Sequence, residues 1–269
     1  MTVRWKPIEA KDLPLNPEDL KQTTDYCKEE KARGRLRVLG GIPDELRMDY
    51  LDTSLDPTLR ATSNINISST DWRQLMMDSC FTILDRITGI DFEKAILLPP
   101  WRSALAFAYP ALNKGTKRFA HCGIERMERD GKMMTREYLP IDKTVLDKPY
   151  ESLIVADPMN ATGTSIITTL EKLINLGVPE EKIIVTCVVS APEGCYNILN
   201  RFLGVKIITA ALDSHLNEKK YIQPGLGDAG DKFFDGLEID FFKPIRHIFT
   251  NAQWAELQHR INLAQAKNS

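Results

Sequence analysis

Residues 152–212 alternate between short apolar runs and amphipathic segments, and this alternation constrains the fold more than any other feature of the chain. Strands are predicted at 152–156, 182–189 and 205–212, and helices at 164–175 and 193–202. Strands that alternate with helices form parallel sheets through right-handed crossovers. The predicted fold class is therefore α/β, with a mostly parallel sheet flanked by helices.

Elements on the amino-terminal side extend this pattern. A helix is predicted to begin at Ser69-Thr-Asp71, followed by a strand at 95–98, a helix over 104–112 and a strand near 118–124. Residues 1–60 are charged and poor in apolar runs, so we expect an appendage with a short helix and no core.

The segment after Gly236 has the apolar spacing of a helix, with Asn251 in the position of a cap. Its apolar residues are Trp254, Leu257, Ile261 and Ala264. We expect this helix to pack on the core or on a partner subunit rather than to do chemistry. The predicted organisation is an N-terminal extension at 1–68, a main domain at 69–236 and a C-terminal helical tail at 237–269.

Charge and cysteine usage exclude several classes of function. The net charge of −2 and pI of about 6.1 argue against binding to nucleic acid. Five scattered cysteines without C-x-x-C spacing argue against a disulfide framework or a zinc site, and predict reduced thiols. The sequence shows no apolar leader or membrane-spanning run, so we expect a cytoplasmic protein that does not bind membranes.

The turn Asp157-Pro-Met-Asn-Ala-Thr-Gly-Thr-Ser165 joins a predicted buried strand to an amphipathic helix. The first N–H groups of a helix lack internal partners and the helix dipole makes that end partly positive, so such a turn can bind an anion. An ordinary helix cap explains the hydroxyls equally well. It does not explain Asp157, which at the carboxyl end of a parallel strand suggests a ligand that bears hydroxyls or a metal.

A second loop, Tyr221-Ile-Gln-Pro-Gly-Leu-Gly-Asp-Ala-Gly-Asp231, contains G-x-G-x-x-G. It is not a dinucleotide fingerprint, because Pro224 interrupts the approach and the chain up to Gly236 is too short for the crossover helix. It also lacks the ligand order of a calcium-binding EF-hand. We interpret it as a tight loop whose main-chain groups can bind a small planar base.

Together these loops resemble those of uracil phosphoribosyltransferases, which implies a type I phosphoribosyltransferase fold over residues 69–236 in a divergent member of the family. The resemblance includes Asp157–Ser165, Tyr221–Asp231, Pro100–Leu105, Gly123–Arg126, Ser190–Gly194 and Ala211–Asn217. It implies transfer of phosphoribose from 5-phosphoribosyl 1-diphosphate (PRPP) to uracil or a related base. It also implies Mg²⁺ bound mainly through the diphosphate, no protein metal site, and a homodimer or higher homo-oligomer.

The resemblance assigns roles to individual residues. The implied catalytic residues are Asp228, Arg102 and Asp157. The implied PRPP-binding residues are Arg102, Arg126, Asp157, Pro158, Met159, Asn160, Ala161, Thr162, Gly163, Thr164, Ser165 and Asp228. The implied base-binding residues are Ile222, Gly227, Asp228 and Ala229. Arg129 competes with Arg126 for its role, and Asp231 either holds its loop or contacts a second metal.

Three departures from the family pattern motivate alternative functions. Arg102-Ser-Ala104 replaces the usual Arg-Ala-Gly, while Asn160 and Thr164 replace an aliphatic and a small residue. Residues 86–92 lead almost directly into the strand at 95–98, which leaves no room for the family's long β-hairpin. One alternative is a regulatory protein that binds PRPP or nucleotide with reduced catalysis. Another is a phosphoribosyltransferase for a different heterocycle in specialised biosynthesis.

Overall fold

The fold is taken from a computed structural model. It describes residues 7–43, 46, 68–129 and 132–268, without the side chains at 10, 126–129, 132–135 and 267–268.

A parallel sheet forms the centre of the described fold, with strand order β1-β10-β9-β7-β2-β4 and β8 paired to β9. A second sheet has the order β3-β5-β6, and β11 and β12 form a small hairpin. The strands are β1 (Leu36–Val38), β2 (Ala95–Leu98), β3 (Pro100–Trp101), β4 (Arg118–Phe119), β5 (Cys122–Arg129), β6 (Lys132–Leu139), β7 (Ser152–Ala156), β8 (Met159–Asn160), β9 (Ile183–Ser190), β10 (Lys206–Leu212), β11 (His215–Leu216) and β12 (Ile222–Gln223).

Helices cover both faces of the central sheet. They are α1 (Pro17–Ala32), α2 (Ser69–Arg86), α3 (Ala108–Asn113), α4 (Thr164–Asn175), α5 (Pro192–Arg201), α6 (Ala229–Phe234) and α7 (Asn251–Asn268), with a longer 3₁₀ segment at Ile239–Ile248. In β7, Leu153 and Val155 join one hydrophobic cluster, whereas Ile154 and Ala156 join the other. Since alternate side chains of a strand point to opposite faces, the two clusters lie on opposite sides of the sheet. The predicted α/β class with a mostly parallel sheet is confirmed.

The predicted elements of region 152–212 agree with the structure to within one residue at each end, whereas the two-residue strand β8 was not predicted. Upstream, two predictions need correction. The predicted helix over 104–112 is a 3₁₀ turn at Ser103–Phe107 followed by α3. The single strand predicted near 118–124 is divided, because β4 ends in the central sheet and β5 then enters the second sheet.

The prediction that residues 1–60 contribute no core is wrong for their described part. β1 pairs in parallel with β10 at the edge of the central sheet, and Leu36 and Cys27 are buried in one of the two clusters. Asn16 caps α1 by accepting hydrogen bonds from the backbone of Glu18 and Asp19. The chain therefore adds an edge strand and a helix here, while the predicted domain boundaries stay predictions.

The carboxyl-terminal segment packs on the core, as predicted. Leu257 and Ile261 of α7 are buried, and Trp254 packs against the same cluster. Between α2 and β2 the chain makes only a short 3₁₀ turn at Phe92–Lys94, so no hairpin is present there. None of the helices in the described ranges is both long and apolar enough to cross a membrane.

Candidate active site

A cavity of about 710 Å³ lies where the loops that follow β2, β7 and β10 come together. In open α/β sheets, the carboxyl ends of the strands are where ligands bind, because the loops there surround a crevice. Most of the residues predicted as site residues line it: Arg102, Asp157, Met159, Ala161, Thr162, Gly163, Thr164, Ser165, Ile222, Gly227 and Asp228. Segments more than 100 residues apart in the sequence thus form one chamber.

The loop from Asp157 to Ser165 forms the wall that the sequence predicts as an anion site. Gly163 is the N-cap of α4 at φ +80°, a backbone conformation that favours glycine, and it supplies no capping side chain. The Oγ1 atoms of Thr162 and Thr164 are 2.8 Å apart, and both residues line the cavity. The helix therefore begins at the cavity wall with a glycine cap and two adjacent hydroxyls, a suitable arrangement for a phosphate group.

Two residues of this loop do not line the cavity. The carbonyl of Pro158 accepts hydrogen bonds from the N–H groups of Val188 and Val189 at 3.0 and 2.9 Å. Asn160 is fully buried, and its Nδ2 lies 3.6 Å from Sγ of Cys195 on α5. Their contacts hold the loop against β9 and α5, and their predicted role in PRPP binding stays a prediction.

The loop after the β11–β12 hairpin forms a different wall. Gly225 has φ +64°, and its N–H donates to Oδ2 of Asp213 at 2.8 Å. Asp228 caps α6 by accepting the N–H of Asp231 at 3.0 Å. Ala229 is fully buried and does not line the cavity, unlike the other predicted base-binding residues. Because α6 has only six residues and β12 belongs to an antiparallel hairpin, rejection of the dinucleotide fingerprint is confirmed.

Arg102 lines the cavity and pairs with an acidic residue of α6. Its Nη1 donates to Oδ1 of Asp231 at 2.8 Å, and its side chain is 35% exposed. A half-exposed pair of this kind stabilises the fold by at most about 1 kcal/mol, so its main effect is on the direction of the guanidinium. Asp231 therefore holds Arg102 against the wall, a pairing that the sequence did not indicate.

Arg126 lies on β5 opposite Thr135 of β6, in the hairpin that borders the cavity. Its side chain and that of Arg129 are outside the described residues. The predicted role of Arg126 in diphosphate binding, and the competing candidacy of Arg129, stay predictions.

The five cysteines are free and buried. Burial raises the pKa of the Cys122 thiol to about 12 and raises the pKa of Cys80 and Cys187 further above the usual value. A protonated, buried thiol is a poor nucleophile. Cys80, Cys122 and Cys187 therefore offer no attacking thiolate at neutral pH.

The structure adds wall residues that the sequence did not single out. They are Glu125, Tyr138, Lys219, Lys220, Arg260 and Leu263. Arg260 and Leu263 come from α7, which was predicted only to pack. Helical periodicity identifies buried positions, but it carries no information about which polar side chain faces a cavity built by distant loops.

His121 is a buried, neutral residue that packs next to the candidate site without lining the cavity. Its Nδ1 accepts from the Trp101 indole N–H at 3.1 Å, and its Nε2 donates to the carbonyl of Ile248 at 2.9 Å. Burial lowers the pKa of His121 to about 4, with a smaller opposing effect from the hydrogen bond to Ile248. The neutral ring therefore links Trp101, which directly precedes Arg102, to the 3₁₀ segment before α7.

We expect His121 to make the fold sensitive to acid. Because its folded pKa lies below its unfolded value, the unfolded chain takes up a proton first as the pH falls from about 6.5 towards 4. The free energy of unfolding should decrease over this range by up to about 3 kcal/mol from this group alone. Urea titrations at pH 7, 6 and 5 should show a shallower pH dependence in His121→Gln.

His259→Gln is the matched control, since His259 is exposed on α7. It should retain the pH dependence of the wild-type protein. An unchanged pH dependence in His121→Gln would contradict the assignment.

Known proteins similar to this chain identify its family. A family model described as uracil phosphoribosyltransferase matches residues 101–236. Uracil phosphoribosyltransferase of Ralstonia pickettii is 41% identical over 117 residues, which cover 44% of this chain and 51% of that protein. The enzyme of the same name from Pyrococcus furiosus is 46% identical over 86 residues, or 32% and 37% of the two chains.

One further relative and one solved structure cover more of the chain. Uridine/cytidine kinase UKL1, chloroplastic, of Arabidopsis thaliana is 35% identical over 156 residues, which cover 57% of this chain and 31% of that protein. The solved structure of AQ2163 from Aquifex aeolicus superimposes with a TM-score of 0.57 at 21% identity, covering 74% of this chain and 97% of that one. This similarity shows a shared fold.

The parallel sheet, the glycine-capped anion loop and the main-chain loop across the cavity define a phosphoribosyltransferase-like α/β protein. The family model covers half of the sequence, so the chain belongs to the uracil phosphoribosyltransferase family. It spans about half or less of the length of the curated relatives described above. The prediction that the chain is a divergent member of this family is confirmed.

Proposed function

We propose that the protein transfers phosphoribose from PRPP to N1 of uracil, or of a related six-membered heterocycle, and releases diphosphate. The observation that carries this proposal is the shape of the cavity, which has an anion loop at Asp157–Ser165 and a main-chain loop at 221–228 in one chamber. One wall suits a phosphorylated sugar, and the other suits a planar base.

The reaction needs orientation and charge stabilisation more than covalent help from the protein. The bond from C1′ to diphosphate breaks as N1 of the base bonds to C1′ and gives up its proton. Positive charge then develops on the ribose and negative charge on the leaving group. Asp157 and Asp228 would stabilise the ribosyl cation, while Arg102 would stabilise the diphosphate. Holding both substrates in line contributes up to about 7–11 kcal/mol in favourable cases.

Mg²⁺ is part of this proposal as an ion bound through the diphosphate. In the described residues, no cluster of three or more His, Cys, Asp or Glu is placed to hold a metal by itself. Asp157 and Asp228 line the cavity and are the carboxylates that would face a magnesium diphosphate, whose hard oxygen ligands suit this ion. The metal would neutralise charge on the leaving group.

Specific features favour the two alternatives. Ser103-Ala104 stands where the family usually has Ala-Gly, so a glycine that permits unusual backbone geometry is missing. This favours a regulatory protein that binds PRPP or nucleotide with reduced catalysis. The direct passage from α2 to β2, without a hairpin, favours a phosphoribosyltransferase that accepts a different heterocycle. Pyrimidine salvage, a cytoplasmic location and a homodimeric or larger assembly belong to the leading proposal and are equally open to test.

The deciding experiment measures diphosphate release from PRPP with Mg²⁺ and a panel of pyrimidines. In Asp228→Asn we expect uracil-dependent release to fall on the order of 100- to 1,000-fold, because a carboxylate facing the developing charge is neutralised. The amide keeps an oxygen to accept the N–H of Asp231, so the cap of α6 is retained. A normal melting temperature would verify this.

Asp240→Asn is the matched control. Asp240 is exposed and pairs with Lys243 outside the cavity, so its loss should leave turnover unchanged. Release with another base alone would keep the mechanism and change the substrate. Tight binding of PRPP or UMP without release from any base would favour the regulatory alternative.

A further inference from the structure

The helix α7 lies beyond the family-matched residues 101–236, yet it forms part of the cavity wall. Arg260, Leu263 and Ala264 line the chamber from this helix. The candidate site is therefore completed by a segment that the family match does not include.

Arg260 is the most heavily engaged side chain of this wall. Its Nη1 donates to Oε2 of Glu125 at 2.9 Å, and its Nε donates to Oε1 of Glu256 at 2.7 Å. Its guanidinium lies 3.5 Å from the centre of the Tyr138 ring, and its side chain is only 17% exposed. Such a shielded guanidinium is held in one place by three groups.

Two of these three groups belong to the hairpin that borders the cavity. Glu125 is on β5 and Tyr138 is on β6, so Arg260 contacts both strands at the base of the hairpin. Arg126, the predicted diphosphate ligand, follows Glu125 directly. The position of its strand relative to the chamber therefore depends on the contact with α7.

The ion pair between Arg260 and Glu125 also affects the charge of the cavity. Glu125 lines the cavity two residues along β5 from Gly123, which pairs with Trp101 next to Arg102, so its negative charge would repel a diphosphate bound at Arg102. Besides Arg260, its described partner is Arg136, whose Nε is 3.6 Å away, on a side chain that is 65% exposed. The more shielded pairing with Arg260 is the stronger one, because solvent screens it less.

We propose that Arg260 is a positioning residue that neutralises Glu125 at the base of the β5–β6 hairpin, so that the cavity accepts the diphosphate of PRPP. This proposal rests on the function proposed above. Arg260 acts through Glu125 and Tyr138 and need not touch the substrate.

A double-mutant cycle tests the proposal through equilibrium binding of magnesium PRPP without a base. We expect Arg260→Gln to weaken binding about 10- to 100-fold, because Glu125 then keeps only its weaker, solvent-exposed pairing with Arg136. Glu125→Gln should bind as well as or better than the wild type. The double variant Arg260→Gln/Glu125→Gln should return to within about threefold of the wild-type affinity, since the two changes are coupled.

The cycle also separates positioning from direct contact. An arginine that itself bound the diphosphate would not be rescued by removal of Glu125, and absence of rescue would overturn the proposal. Arg246→Gln is the matched control: Arg246 stacks on Trp254 and bonds to Asn251, so it too anchors α7, but it lies outside the cavity wall. An equal loss of affinity in this control would mean that Arg260 acts only by holding α7 in place. That result would also overturn the proposal.

Failure of this inference is distinguishable from failure of the proposed function. If the wild-type protein binds PRPP and Arg260→Gln binds it equally well, only the role of Arg260 is wrong. If the wild-type protein binds no PRPP, the proposed function is wrong and the role of Arg260 is wrong with it.

Discussion

Replacement of Gly194 by alanine should abolish most PRPP binding while leaving the base loop intact. Gly194 lies on α5, where an added Cβ would come closer than 3.0 Å to the carbonyl oxygen of Ala161 and to the side chain of Asn160. Ala161 is part of the cavity wall, so either the anion loop or α5 must shift. A displacement of about 1 Å in a binding loop can cost on the order of 100-fold, and we expect a loss of that size in PRPP affinity.

The measurement is titration of magnesium PRPP, accompanied by thermal unfolding. Overpacking also destabilises the fold, by about 1–3 kcal/mol, and a control must separate the two effects. Gly177→Ala serves this purpose, because Gly177 has φ +88° and no atom within 4 Å of an added Cβ. It should lower the melting temperature and leave PRPP affinity unchanged. Normal PRPP binding by a folded Gly194→Ala protein would contradict the expected displacement of the anion loop.

Replacement of Gly225 by alanine should impair binding of the base and leave binding of PRPP nearly unchanged. The added Cβ would lie 2.9 Å from the carbonyl carbon of Ile222 and closer still to its oxygen, and φ +64° is strained for alanine. The main chain at Ile222 is a predicted contact for the base. We expect the KM for the base to rise on the order of 100-fold, while PRPP affinity stays within about threefold of the wild type.

Steady-state release of diphosphate at varied base concentration gives this KM, and PRPP titration gives the second value. Gly194→Ala and Gly225→Ala act as controls for each other. The first should weaken binding of PRPP, and the second should weaken binding of the base. Equal loss of both substrates in Gly225→Ala would mean that the two walls are not independent binding surfaces.

Local sequence patterns predicted the region 152–212 accurately. Its strands are runs of β-branched and aliphatic residues, and its helices repeat apolar residues every three or four positions, so each element is encoded within about ten residues. The loops at Asp157–Ser165 and Tyr221–Asp231 were recognisable for the same reason. Glycine, proline and hydroxyl residues at particular spacings restrict the backbone wherever the chain later folds.

Elements that depend on a distant partner were missed or misplaced. The three residues of β1 are too few to show a period, and they become a strand through pairing with β10, about 170 residues away. The division between β4 and β5 depends on which sheet each segment joins. Neither choice is visible in a local window, because strand pairing is a property of the assembled sheet.

The sequence by itself determined the α/β class, the two loops that face each other and membership in a family of nucleotide-forming proteins. Only the tertiary structure decided which charges meet in the chamber. Arg102 pairs with Asp231 across 129 residues, and Arg260 pairs with Glu125 across 135. It also turned Asn160 away from the cavity and buried it against α5. Such contacts arise only when crossovers bring strand ends to one edge, since side chains meet in space according to topology and not according to their separation along the chain.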